Sequence, residues 1–170
     1  MIKIVASKKK NNSLMKKMET LSRVRTALLN DNIAKEICTE NDMGAWFLNS
    51  VPIRFDDLDV TAKTVNGDIT LSPKLIKKPF EILMRYVIHE LVHAIQHVKD
   101  HDKNKKNKRK NYLNREDEVE AFQYQAKYDK DQRGLEEVED YVDGLLDFHD
   151  IPDDQREDKK EEILEKTEED

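Results

Sequence analysis

The chain has 170 residues, one cysteine and a formal net charge of −6, with 37% hydrophobic and 39% charged residues. That length carries one core and is short for two. The lone Cys38 excludes an intrachain disulfide and a cysteine-based zinc site, and no segment reaches the ~18 apolar residues of a membrane span. Charge is unevenly spread: residues 99–110 hold seven Lys/Arg against two Asp, and residues 153–170 hold ten Asp/Glu against four Lys/Arg. The global balance therefore names no partner.

The opening MIKIVASKKKNNS has only a short apolar run before its lysines and lacks the hydrophobic stretch of a signal peptide. The expectation is a soluble, cytoplasmic protein with no membrane partner. Ile2–Val5 reads as a short strand. From Ser13, a plausible N-cap, Leu14, Met18, Leu21, Val24, Leu28 and Leu29 recur at helical spacing. The Asn30-Asp31-Asn32 cluster predicts a break into two helices. Cys38 falls in the second part and reads as a small core residue.

Residues 44–73 change character. Trp46, Phe47 and Leu48 are apolar, and Val51–Phe55 alternates. Val60–Val65 and Asp68–Leu71 are strand-like and flank Asn66-Gly67, a strong hairpin dipeptide. Ser72-Pro73 ends the last strand and opens a short helical turn. Pro79 suits the first turn of a helix over about 79–98, whose apolar stripe is broad enough to predict a buried central helix. A polar, lysine-rich loop follows. Asn114 then caps a helix over 115–130, Gly134 interrupts, and Leu135–Leu146 forms a last amphipathic helix. The predicted fold is α+β: a small twisted sheet, a zincin-like helix pair, and additional N- and C-terminal helices. The organisation reads as a strand and helical region over 1–43, a core over 44–152 and an acidic polar tail over 153–170.

The chemistry sits on the central helix. His89-Glu90-Leu91-Val92-His93 places two imidazoles one turn apart on one face, with Glu90 rotated about 100° from His89. Two histidines can hold Zn2+, and a neighbouring carboxylate can take a proton from a water and return it to a leaving amine. Two core-edge histidines are the bland reading, but two His and one Glu at this spacing in an apolar helix are costly without a task. A catalytic zinc site takes three protein ligands. The metzincin spacing fails, because Gln96 and Lys99 stand where it requires Gly and His.

The third ligand must come from the acidic run Glu116-Asp117-Glu118-Val119-Glu120-Ala121-Phe122. Here the chain resembles the gluzincin clan, the thermolysin-like zinc metallopeptidases, in its short soluble members. Those proteins pair the His-Glu-x-x-His helix with a second helix carrying Glu-x-x-Ala/Ser-Asp or a close variant. The resemblance covers about residues 65–130. It implies His89, His93 and Glu118 as zinc ligands, Glu90 as general base, and Ala121 as the small residue that lets the helices approach. The chain departs at Phe122, where the family often has an Asp or Asn that orients a zinc histidine. Asp117 and Gln125 are the replacements considered. On residue pattern alone, Glu118 shares a face with Ala121, Phe122 and Gln125. Glu120 shares one with Gln123, Tyr124 and Lys127, and remains an alternative ligand together with Glu116 and Asp117.

The resemblance implies zinc-dependent hydrolysis of peptide bonds in a peptide or protein substrate, with Asp68–Leu71 a candidate edge for an extended peptide. Tyr112, Tyr124, Tyr128 and His97 are candidate donors to a developing oxyanion, although His97 equally suits a C-terminal helix cap. Two other classes remain in view. One is a non-catalytic metal-binding or regulatory protein on the same scaffold. The other is binding of nucleic acid or an acidic partner through Lys103, Lys105, Lys106, Lys108, Arg109 and Lys110. That run lacks interleaved aromatics, so a solvated loop is preferred. Oligomeric state is not readable.

Overall fold

A computed structural model describes residues 2–99 and 112–168, with side chains from Asn11 onward. Helix α1 spans Ile2–Asn30. The expected strand at Ile2–Val5 is therefore helix. An unpaired strand would leave its backbone groups without partners, whereas a helix satisfies its own at a small cost for β-branched residues. Ser13 lies inside α1 rather than capping it. Among its described side chains, Val24 and Leu28 are fully buried, while Leu14 and Met18 stay exposed.

The break expected at Asn30–Asn32 is present. Asp31 is extended and its carboxylate accepts from the Ala34 amide at 2.8 Å, capping α2 over Asn32–Glu40. Helix α2 buries Ile33, Ile37 and Cys38. The short α3, Trp46–Ser50, buries Phe47 and Leu48. Its last carbonyls are taken by Arg25, whose guanidinium donates to Leu48 O at 2.5 Å and Val51 O at 2.6 Å.

Strands β1 (Ile53–Phe55), β2 (Ala62–Val65) and β3 (Asp68–Leu71) form one sheet of order β1-β3-β2. β2 and β3 make the expected antiparallel hairpin, with Thr64 opposite Ile69. Its turn has φ +54° at Asn66 and +83° at Gly67, the left-handed pair that an Asn-Gly hairpin turn requires. β1 runs parallel to β3, with Ile53 opposite Ile69. β3 is thus the central strand, which explains its burial at Ile69, Thr70 and Leu71.

After a 3₁₀ turn over Pro73–Lys77, helix α4 (Phe80–Val98) runs through the middle of the core with Leu83, Met84, Val87, Ile88, Leu91, Val92 and Ile95 buried. A 3₁₀ turn at Tyr112–Asn114 precedes α5, Glu116–Arg133, so Asn114 ends that turn and Arg115 takes the cap position. Ala94 of α4 and Ala121 of α5 are both fully buried. Helix α5 also joins two hydrophobic clusters. One face meets the main core through Tyr124 and Tyr128, and another meets a second cluster through Phe122 and Ala126. Helices α6 (Leu135–Phe148) and α7 (Asp153–Leu164) close that second cluster, α7 through Ile163, 1% exposed. The acidic segment beyond Pro152 is thus helical and docked through Ile163, with Leu164 partly buried against the same cluster.

The fold is mixed α+β, with a small three-stranded sheet and the helix pair α4 and α5 flanked by further helices. No described helix is long and apolar enough to cross a membrane. The basic run 99–110, apart from Lys99, lies outside the described residues.

Candidate metal centre

The helical repeat of α4 puts His89 and His93 on the side facing α5, and α5 begins so that Glu118, in its first turn, meets them. Among the described residues, these three form the one group of His, Cys, Asp and Glu side chains able to hold a metal ion. His89 Nε2 and His93 Nε2 are 3.3 Å apart. Glu118 Oε2 lies 3.5 Å from the first and 3.3 Å from the second. Zinc bonds of about 2.0–2.1 Å in tetrahedral coordination separate ligand atoms by roughly 3.3–3.4 Å. The three atoms therefore already outline one face of such a tetrahedron.

The polar accounting agrees. Glu118 Oε2 and His89 Nδ1 are buried without a well-aligned hydrogen-bond partner among the described residues. A buried carboxylate oxygen facing two ring nitrogens at this spacing suits a shared cation. Burial alone would push the Glu118 carboxyl up. His89, His93 and Tyr112 outweigh it and hold the group well below the usual carboxylate range. Burial pulls His93 down, but Glu118 with Glu90 and Gln96 lifts it to about 9. The two shifts are one coupling, in which the Glu118 carboxylate and the His93 imidazole favour each other's charged forms, and the donor set of two imidazoles and one carboxylate fits Zn2+.

Supporting contacts come from several elements. From β2, the Thr64 hydroxyl lies 2.8 Å from Glu90 Oε2 and 3.0 Å from the Glu90 carbonyl oxygen, holding a carboxylate that is only 6% exposed. From α4, Gln96 Oε1 lies 2.9 Å from His93 Nδ1. The Gln96 amide in turn donates to Glu120 Oε2 at 2.7 Å and to the Asp117 carbonyl at 3.2 Å. From the start of α5, Arg115 Nη2 sits 3.1 Å from Glu118 Oε1 and 2.7 Å from Asp117 Oδ2. Tyr112 lies within hydrogen-bonding reach of Glu118, and burial followed by the Glu118 charge raises its phenol. His149 stacks flat on Tyr112, with centroids 5.0 Å apart and planes 11° apart.

These contacts reassign several sequence expectations. Glu120 holds Gln96 instead of joining the histidines, so it is absent from the triangle. Glu116 and Asp117 are absent too, and Asp117 is paired with Arg115. The solvent-like face assigned to Glu120 is not one, because Tyr124 is fully buried and donates to Glu40 at 2.5 Å. Neither Asp117 nor Gln125 orients a histidine with its side chain, and Gln96 takes that place. Phe122 packs its ring edge-on against His89 at 4.6 Å, holding that imidazole by shape. Of the four proposed donors, Tyr124 is committed to Glu40, Tyr128 is buried in the main core, and exposed His97 packs over Gly67. Tyr112 alone reaches the triangle.

Sequence reasoning missed Thr64, Arg115 and His149, and read Gln96 only as a missing glycine. Gln96 carried a local signal, three residues after His93 on the same helix. The others arrive by tertiary packing.

No family model, curated protein or solved structure matches the chain. The class is therefore defined by the fold and the site. His89, Glu90 and His93 on one helix, with Glu118 on the next, are consistent with a gluzincin-type zinc-protease active site.

Proposed function

We propose that the protein is a zinc-dependent metallopeptidase that hydrolyses peptide bonds, with His89, His93 and Glu118 as the metal ligands and Glu90 as the general base. The observation that carries this reading is the triangle of ligand atoms, with edges of 3.3–3.5 Å, beside a buried carboxylate. Zinc, when bound, supplies a Lewis acid that lowers the pKa of a water and polarises a carbonyl. Glu90 takes a proton from the attacking water and passes it to the leaving amine. Thr64 anchors Glu90 Oε2 and so fixes the plane of the carboxylate. Tyr112 and His149 wall the side next to Glu118, where the Tyr112 hydroxyl offers a donor to charge developing on the substrate oxygen.

The peptide-binding edge moves from the expected strand to its neighbour. β3 pairs on both sides, with β1 and β2, so it has no edge to offer. β2 is an edge strand and carries Thr64, which touches Glu90, so an extended peptide added there passes the catalytic carboxylate.

Replacing Glu90 with Gln preserves the shape and removes the base. The zinc-loaded variant is expected to lose hydrolysis of an unstructured protein such as casein, while its zinc stoichiometry stays at the wild-type value. Hydrolysis that survives Glu90→Gln contradicts the mechanism. A wild-type protein that binds zinc and cleaves no peptide library favours a non-catalytic metal-binding role.

A further inference from the structure

A recess of about 420 Å³ opens beside the first turns of α4, lined by Asp59, Thr61, Lys74, Lys78, Ile82 and Tyr86 among others. Two rulers relate it to the candidate centre. Tyr86 precedes Glu90 by four residues on α4, or about 6 Å of helix rise. Thr61 precedes Thr64, the residue that holds Glu90, by three residues, or roughly 10 Å of strand. The recess therefore continues the β2 edge away from the catalytic carboxylate, at a reach of two to three residues of extended chain.

Its chemistry is mixed. Ile82 and Tyr86 give it an apolar wall, and Lys74 and Lys78 are exposed. Neither lysine ammonium makes an ion pair or hydrogen bond among the described residues. Asp59 is the one carboxylate in the lining, against these two cations, so the recess keeps an excess positive charge. An apolar wall that fixes a chain, with exposed cations at hand, suits a carboxylate carried on a peptide.

Building on the metallopeptidase reading, we propose that this recess is a substrate subsite that selects a peptide carboxylate two to three residues from the scissile bond, with Lys74 and Lys78 as the specificity-determining residues. The carboxylate comes from an Asp or Glu side chain or from a free C-terminus, and both present the same group to the lysines.

The test uses the full chain as its Glu90→Gln variant, loaded with zinc, and three N-acetylated decapeptides of Ala, Gly and Thr. The first has one central Glu and an amidated C-terminus. The second has Gln in place of that Glu. The third has Gln and a free C-terminal carboxylate. Affinity is read by calorimetry at low and moderate salt. The Glu peptide is expected to bind about tenfold more tightly than the Gln peptide, the scale of two exposed ion pairs, and to lose this preference as salt screens it. Lys74→Glu with Lys78→Glu is expected to bring the Glu peptide down to the affinity of the Gln peptide. If the free C-terminus alone confers tighter binding, the subsite reads the chain end. Equal binding of all three peptides, no measurable binding of any, or a preference that survives the double charge reversal overturns the proposal. Cleavage is scored separately with wild-type protein. Peptides that bind with the carboxylate preference but are never cut leave the subsite standing and overturn the hydrolytic reading.

Discussion

Gln96 is the most informative residue to perturb outside the candidate ligands. Its side chain bridges His93 Nδ1 at 2.9 Å to Glu120 Oε2 at 2.7 Å, and it is 5% exposed. Gln96→Leu keeps the volume close and removes these two contacts together with the longer one to the Asp117 carbonyl. His93 then loses the partner that sets its ring orientation. Removal of such a support costs about 10–100-fold in metal affinity, or roughly 1.4–2.8 kcal/mol. The effect on the fold is smaller, about 1 kcal/mol for the lost hydrogen bond, because Glu120 is only half-buried and can be resolvated. Competition against a chromophoric zinc chelator measures the affinity, and urea unfolding of the metal-free protein measures stability. A compensating pair sharpens the test. Gln96→Glu combined with Glu120→Gln reverses donor and acceptor between the two positions while keeping an acceptor for His93, and is expected to recover most of the affinity. Zinc affinity of Gln96→Leu within about twofold of wild type, or a well-folded swap that recovers nothing, would refute the reasoning.

Four further outcomes follow from the packing. Arg85 Nε and Asp129 Oδ2 form a 2.5 Å ion pair between α4 and α5, with both residues buried. Asp129→Ala strands the Arg85 cation and is expected to destabilise by about 3–5 kcal/mol, whereas Arg85→Met with Asp129→Leu should cost far less; urea midpoints decide. Ile163→Ala should cost about 2–4 kcal/mol in the same assay, since that side chain docks α7, and a change near zero would mean that α7 does not dock in solution. Gly67→Ala forces a side chain onto a φ of +83° and sets its Cβ 3.2 Å from His97 Cδ2, so a loss of about 1–2 kcal/mol is expected. Zinc at a thousandfold excess over its Kd should add about 4 kcal/mol of stability to the wild type, visible as a raised Tm that His93→Ala abolishes.

The parts of the site that follow from local geometry were readable from the chain. His89 and His93 share a face because a helix turns every 3.6 residues, and the Asn66-Gly67 hairpin follows from turn chemistry. Glu118 required the comparison of a whole acidic run with a known helix pair, because Glu120 has the same composition around it and differs only in facing. That facing was misjudged in part: Tyr124, beside Glu120, looked solvent-like but is paired with Glu40 on α2, a contact no local pattern encodes. Thr64, Arg115 and His149 reach the site from a strand, a cap and a helix end, so their roles depend on packing. Ile2–Val5 has the residues of a strand, yet it is helical and no strand among the described residues pairs with it. β3 reads as an edge or a centre with equal ease until β1 is seen to pair in parallel.

The claim that stands above the others is that His89, His93 and Glu118 hold one zinc ion. Elemental analysis of the full chain after zinc loading and gel filtration tests it most directly, with Glu118→Gln and Glu120→Gln measured alongside. The account predicts one zinc per chain for the wild type and for Glu120→Gln, and loss of zinc to a mild chelator for Glu118→Gln. A wild type that retains no zinc, or a Glu118→Gln variant that holds it as tightly as the wild type, would contradict the account.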